Sequence, residues 1–185
     1  MSRIVAGAAK GRRIAVPPGR ATRPTSDRTR EALFSAVSSL VDLDGARVLD
    51  LYAGSGAVGL EALSRGAAHA LLVESDPKTL RVLRDNASAL GFPGAQVRGG
   101  RAEQVAAAAQ SEPYGFVFAD PPYALPAAEL AGVLEALDAN GWLAPGAVVV
   151  VERASRDPEW VWPKTLVALR SRRYGEGTLW YGRRS

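Results

Sequence analysis

The chain contains no cysteine, which excludes a disulfide framework, a thiolate metal site and a cysteine nucleophile together. That absence favours a cytoplasmic protein. Histidine is nearly absent as well: His69 is the sole one, so a histidine-based metal centre is not expected and no metal is implied. No apolar run approaches the ~20 residues that a membrane-spanning helix needs, so no membrane partner is expected. The first residues, MSRIVAGAAKGRRIAV, carry charges with no long apolar stretch behind them and do not read as a secretory signal. Disorder and fibrous classes are excluded by what is present: 47% hydrophobic residues, 23% charged residues and a mean hydropathy of −0.04 over 185 residues. Such a chain makes one domain with a real core, with room for a small appendage.

Lysine is the scarce cation. Of 23 basic residues only Lys10, Lys78 and Lys164 are lysine. The net charge of +4 conceals a layout with two basic ends. Residues 1–30 carry eight basic groups and one acid, residues 31–152 carry seven and fifteen, and residues 153–185 carry eight and three. Compositional bias explains arginine over lysine but not this clustering. Arginine-rich ends around an acidic middle are the footprint of a nucleic-acid-binding surface.

Residues 3–16 read as two short strands around Lys10-Gly11, and a helix is predicted over 27–41 from the spacing of Ala32, Leu33, Ala36, Val37 and Leu40. Thr25 or Ser26 can cap it. Residues 1–45 thus form a basic hairpin-and-helix extension, and 46–185 the main domain. There, strands over 47–51, 70–74, 95–98, 116–119 and 147–152 alternate with helices over 56–65, from Pro77 to a stop at Gly91, 102–110 and 127–139. This alternation predicts an α/β fold with a mostly parallel sheet covered on both faces. Segments 165–173 and 177–183 read as a hairpin adding antiparallel edge strands. Trp160, Trp162 and Trp180 read as packing for those strands, and His69 as surface or packing.

Two loops carry chemistry. Residues 48–62, VLDLYAGSGAVGLEA, run from a strand through Gly54-Ser55-Gly56-Ala57-Val58-Gly59 into a helix, the strand–turn–helix setting that G-x-G-x-x-G requires. Glycines there admit a close backbone approach by a ligand, and the helix N-terminus offers unpaired N–H groups. Glu74 ends the next strand, where an acid accepts the hydroxyls of a ribose. A nicotinamide dinucleotide and S-adenosylmethionine both satisfy this pattern. Asp50 favours the second, because a carboxylate suits an amine and a sulfonium but repels a close pyrophosphate.

The strand over 116–119 runs directly into Asp120-Pro121-Pro122-Tyr123. The prolines fix the backbone and remove two N–H donors. An acceptor-rich turn remains, with the Asp120 carboxylate, the Pro121 carbonyl and the Tyr123 ring. That set suits an exocyclic amine on a flat base, held by its N–H bonds and stacked on the aromatic face.

These loops, with Arg23-Pro24-Thr25, RTREALF over 28–34 and EALSRGA over 61–67, resemble the RsmD-type family, class I S-adenosylmethionine-dependent methyltransferases with a (D/N)PP(Y/F) loop. The resemblance spans nearly the whole chain. It implies a Rossmann-like fold with a seven-stranded sheet, and methyl transfer to the exocyclic N2 amine of a guanine in 16S ribosomal RNA. It places Asp50, Tyr52, Gly54, Ser55, Gly56, Glu74, Ser75, Ala102 and Asp120 at the methyl donor, and Asp120, Pro121 and Tyr123 at the target amine. It matches Arg23 and Thr25 to a segment that closes over the donor and meets RNA. By charge, Arg12, Arg13 and Arg28, helped by Arg170, Arg172 and Arg173, are expected to contact phosphates. The sequence departs from many class I enzymes at Arg101-Ala102, where an acid often precedes the alanine to hold the adenine amine. Either Glu103 or the Ala102 backbone takes that place. The partner implied is 16S RNA or the small ribosomal subunit, met by a monomer. Competing readings are methylation of adenine N6 or cytosine N4 in nucleic acid, a non-catalytic RNA-binding assembly factor on the same fold, and an NAD-dependent oxidoreductase.

Overall fold

A computed structural model describes residues 2–17 and 26–185. The extension comprises β1 (Ser2–Arg3), β2 (Arg13–Ile14) and α1 (Asp27–Ser38). There follow β3 (Arg47–Asp50), α2 (Ala57–Ser64), β4 (His69–Glu74), α3 (Pro77–Leu90), β5 (Ala95–Gly99) and α4 (Ala102–Ala107). The chain ends with β6 (Tyr114–Ala119), α5 (Ala127–Ala139), β7 (Leu143–Ala154), β8 (Leu166–Tyr174) and β9 (Gly177–Arg184).

The seven longer strands form one sheet in the order β5-β4-β3-β6-β7-β9-β8. The first five are parallel, and β9 and β8 join antiparallel. The last strand is therefore interior and β8 is the edge. Alternation along the strands sends Val48, Leu72, Phe116, Phe118, Val148 and Val150 to one face, against α1, α2, α3 and the β1–β2 hairpin. Leu49, Leu71, Val117 and Val149 point to the other, against α4 and α5. Helices on both faces of a mostly parallel sheet are the predicted architecture.

Local chemistry sets the helix ends. The Ser26 hydroxyl accepts from the Thr29 N–H and caps α1. Asp76 caps α3 through the N–H and hydroxyl of Thr79, with Pro77 at the first helical position, and Gly91 closes the helix at φ 69°. Two helices stop earlier than their apolar spacing suggests: α1 at Ser38, where the Ser39 hydroxyl turns back to the Ala36 carbonyl, and α4 at Ala107.

The extension shares the core of the sheet: Ile4, Ala9, Ile14, Leu33, Phe34 and Val37 are buried in the same cluster as Phe116 and Phe118. A buried charge holds it there. The Glu61 carboxylate on α2 accepts from the backbone N–H groups of Val5 and Ala6 at 2.8 and 3.0 Å and pairs with Arg30 and Arg65 at 3.4 and 2.8 Å. The Arg30 and Glu61 side chains have no solvent exposure. His69 bonds the Tyr114 hydroxyl at 2.9 Å, at the opposite end of the strands from the site described next. Trp160 and Trp162 meet edge to face at 5.8 Å, and Trp162 lies against Gly182. All three tryptophans of this region pack with the second face.

Candidate active site

Strand order reverses between β3 and β6, which run side by side and in register, Asp50 opposite Phe118. Ligands in open α/β sheets bind beyond the strand ends at such a switch point. The chain leaves β3 into the glycine turn and leaves β6 into Asp120-Pro121-Pro122-Tyr123. Neighbouring strands lie about 4.8 Å apart, so this register alone makes the two loops opposite walls of one crevice. Both line a single cavity of about 690 Å³, within the usual range of about 300–1,000 Å³ for small-molecule sites.

Most of the expected donor-binding residues meet there: Asp50, Tyr52, Gly54, Ser55, Glu74, Ser75, Ala102 and Asp120 line the cavity, as do Pro121 and Tyr123. Gly56 does not. It adopts φ +91° at the start of α2, and a Cβ there would stand 2.6 Å from Leu83 Cδ1. Its N–H is bonded within the turn, to the Ala53 carbonyl. Gly59 is excluded from a side chain in the same way, 2.7 Å from Leu72 Cδ2. Two of the three fingerprint glycines thus serve close helix–sheet packing, and Gly54, with open space beside it, faces the cavity.

Glu74 stabilises the turn: its carboxylate accepts from the Gly54 N–H at 3.0 Å and the Asp76 N–H at 2.9 Å. A carboxylate has about four acceptor positions, so those two bonds leave capacity for a ribose diol. Arg101 pairs with Glu103 at 2.7 Å beside the buried Ala102. The Tyr52 hydroxyl is buried with no partner among the described residues, and burial pushes its pKa up to about 12, so it remains a donor.

Asp50 is buried and accepts from the Gly59 N–H at 3.0 Å. Burial pushes its carboxyl up to about 7, opposed by that N–H and reinforced by the negative charge of Glu74. Between the ordinary value of 3.8 and about 7 the folded protein therefore holds a proton that the unfolded chain releases. The contribution of Asp50 to stability must fall as pH rises through that window and level off above it. The difference in urea midpoint between wild type and Asp50→Asn, measured from about pH 4 to about pH 8, is expected to shift against the wild type as pH rises.

Three groups near the cavity were not singled out from sequence. Asn86 on α3 bonds the N–H and carbonyl of Ala15 and the carbonyl of Ser55, clamping the extension to the glycine turn. Its only signal was an amide at the helical spacing of Thr79 and Leu83, on a buried face. Glu152 and Arg153, buried at the end of β7, touch the proline loop. Of the RNA-directed residues, Arg23 and Thr25 lie outside the described residues. Arg12 donates to the Ala89 carbonyl near the far end of α3, ten residues or roughly 15 Å along the helix from Thr79 at the cavity rim. Arg13 and Arg28 are exposed.

A family model described as conserved hypothetical protein 95 matches residues 2–183. Ribosomal RNA small subunit methyltransferase D of Escherichia coli (strain K12) is 41% identical over 150 residues, covering 81% of this chain and 73% of the relative. This chain belongs to the RsmD-type family. YlbH of Bacillus subtilis (strain 168), provisionally assigned as an rRNA methyltransferase, is 36% identical and covers 94% of both chains. The solved structure of Escherichia coli yhhF, provisionally assigned as a methyltransferase, superposes with a TM-score of 0.86 at 35% identity, over 99% of this chain and 97% of that one. A Thermus thermophilus protein described as hypothetical gives 0.78 at 34% identity, over 98% of each. The RsmD-type chain thus has the class I methyltransferase fold that its sequence resembles.

Proposed function

We propose that this protein transfers a methyl group from S-adenosylmethionine to the exocyclic N2 amine of a guanine in small-subunit (16S) ribosomal RNA. The reading rests on one observation above all: β3 and β6 are in register, so the glycine turn and the Asp-Pro-Pro-Tyr turn share one cavity. When bound, the donor supplies an electrophilic methyl on a sulfonium. The protein's part is to hold and aim. Glu74 has acceptor capacity left for the ribose, and Asp50 offers a carboxylate whose ionised form a nearby cation favours. Asp120 and the Pro121 carbonyl accept the two N–H bonds of the amine, which aims its lone pair, while Tyr123 stacks the extruded base.

Residues 46–185 serve as the transferase body and 1–45 as an extension that shares its core. The RNA surface includes the β8–β9 hairpin. Its turn lies at the cavity edge, where the Glu176 carbonyl is 3.5 Å from the Tyr123 hydroxyl. Arg170, Arg172 and Arg173 on β8 are exposed and pair with no carboxylate among the described residues. Phosphate contacts of this kind weaken as salt rises.

The deciding experiment supplies labelled S-adenosylmethionine and unmodified small-subunit particles, then digests the RNA to nucleosides. The label is expected in N2-methylguanosine. Label in adenine or cytosine would overturn the base assignment, and none at all would overturn the activity.

A further inference from the structure

β7 overshoots its neighbour. Pairing between β6 and β7 ends at Ala119 opposite Val151, while β7 continues to Ala154 through its ladder with β9. The extra residues stand beside the place where the chain leaves β6 for the proline loop. Strand alternation sends Glu152 and Arg153 to opposite faces. Each reaches the loop from its own side. The Glu152 carboxylate accepts from the Tyr123 hydroxyl at 3.3 Å. The Arg153 guanidinium donates to the Leu125 carbonyl at 2.6 Å. Within the loop, the Leu125 N–H closes a turn onto the Pro122 carbonyl.

We propose that Glu152 and Arg153 are positioning residues that pin the Asp-Pro-Pro-Tyr loop from both faces of the sheet, Glu152 setting the Tyr123 ring and Arg153 the loop exit. The inference deepens the methyl-transfer reading and rests on it for its catalytic consequence. The physical argument begins with cost. Both side chains are buried, at 7% and 5% exposure, directly after four valines. Burying ionisable groups there is expensive, and apolar residues would continue the strand more cheaply. What the charged pair adds is two fixed points from the sheet itself, one on the Tyr123 hydroxyl and one at the loop exit. A tyrosine ring can swing about its Cα–Cβ and Cβ–Cγ bonds, and a hydroxyl tie at the far end of Tyr123 removes that freedom. Arg156 lies over the same ring, 5.8 Å from its centroid, which further narrows its range.

The test has two arms. In the protein alone, hydrogen exchange of the amides in 123–125 reports the tether without any ligand. Glu152→Ala and Arg153→Ala are expected to speed exchange in that peptide while peptides from β3 and β4 stay protected. In single-turnover methyl transfer, Glu152→Ala is expected to slow the chemical step on the order of 10²-fold, as small misplacements of a reacting group do. Donor affinity should change by less than about twofold, an effect within the error of such couplings. Tyr123→Phe breaks the same bond from the other side and leaves the ring in place, so the Glu152→Ala/Tyr123→Phe double variant should be no slower than the slower single one. Glu152→Gln, which keeps an acceptor, should recover most of the rate. Unchanged loop exchange, or rate losses that multiply in the double variant, would overturn the proposal. Faster loop exchange in a protein whose wild type transfers no methyl would leave the tether standing and overturn the methyl-transfer reading instead.

Discussion

Replacing Asp120 by alanine is expected to lower single-turnover methyl transfer by about 10³-fold, the upper end of what one preorganised polar group contributes at a reacting centre. Asp120 is the first residue after β6, and the strand beneath it is fixed on both edges by β3 and β7. Pro121 behind it is buried and has no N–H to compete for the carboxylate. The carboxylate is therefore delivered to the cavity wall by rigid backbone, which is the condition for orientation to count. Asp120→Asn keeps one carbonyl acceptor and should fall between wild type and Asp120→Ala. The side chain is at the cavity surface, and thermal unfolding of both variants, measured alongside the rates, separates a loss of fold from a loss of chemistry. A variant with unaltered melting and a rate within about tenfold of wild type would remove Asp120 from the chemistry.

The same local logic explains which parts of the molecule were readable from sequence. Strand–turn–helix punctuation is a short-range signal. The Asp76-Pro77 start and Gly91 stop of α3, and the passage of β3 into the glycine turn, were legible because each depends on residues adjacent in the chain. The placement of the two loops followed from the rule that crevices form beyond parallel strand ends. The roles of Gly56 and Gly59 were not legible. They match a ligand-binding pattern, yet the atoms they would strike belong to Leu83 and Leu72, set by the packing of α2 on the sheet and of α3 beside it. The order of the last three strands was equally hidden. A hairpin pattern shows that β8 and β9 pair, and only the ladder from Val148–Arg183 to Ala154–Gly177 shows that β9 takes the inner place. That leaves Val167 and Leu169 of β8 exposed at 52% and 39% despite their apolar character. Charge alone marks Arg12 and Arg13 in the sequence, and charge does not say which end of α3 a guanidinium meets.

Glu61 is the residue whose importance sequence most understated, and Glu61→Ala is expected to be the most damaging single change to stability. In an apolar helix, AVGLEALS, one acid reads as a tolerated exception. In the fold its two oxygens satisfy the N–H groups of Val5 and Ala6, 56 and 55 residues away, and offset the charge of Arg30. Removing the carboxylate leaves two backbone donors without acceptors and takes from a fully buried guanidinium one of its two carboxylates, the other being the half-exposed Asp27 at 3.1 Å. Breaking one side of such a pair costs about 3–5 kcal/mol, and for a chain of this size that corresponds to a fall in melting temperature on the order of 10 °C. Because the pair is screened by protein, not by ions, the deficit should persist at high salt. The consequence reaches the site as well. Glu61 anchors the turn segment of the β1–β2 hairpin, whose second strand leads through Ile14 to Val16 and Pro17, which line the cavity. Exchange should therefore accelerate first in peptides 2–17, at temperatures where the sheet is still protected, and donor affinity should weaken in step. A Glu61→Ala protein that melts within about 2 °C of wild type, less than 1 kcal/mol on the same scale, would show that α2 holds the extension by apolar contact alone.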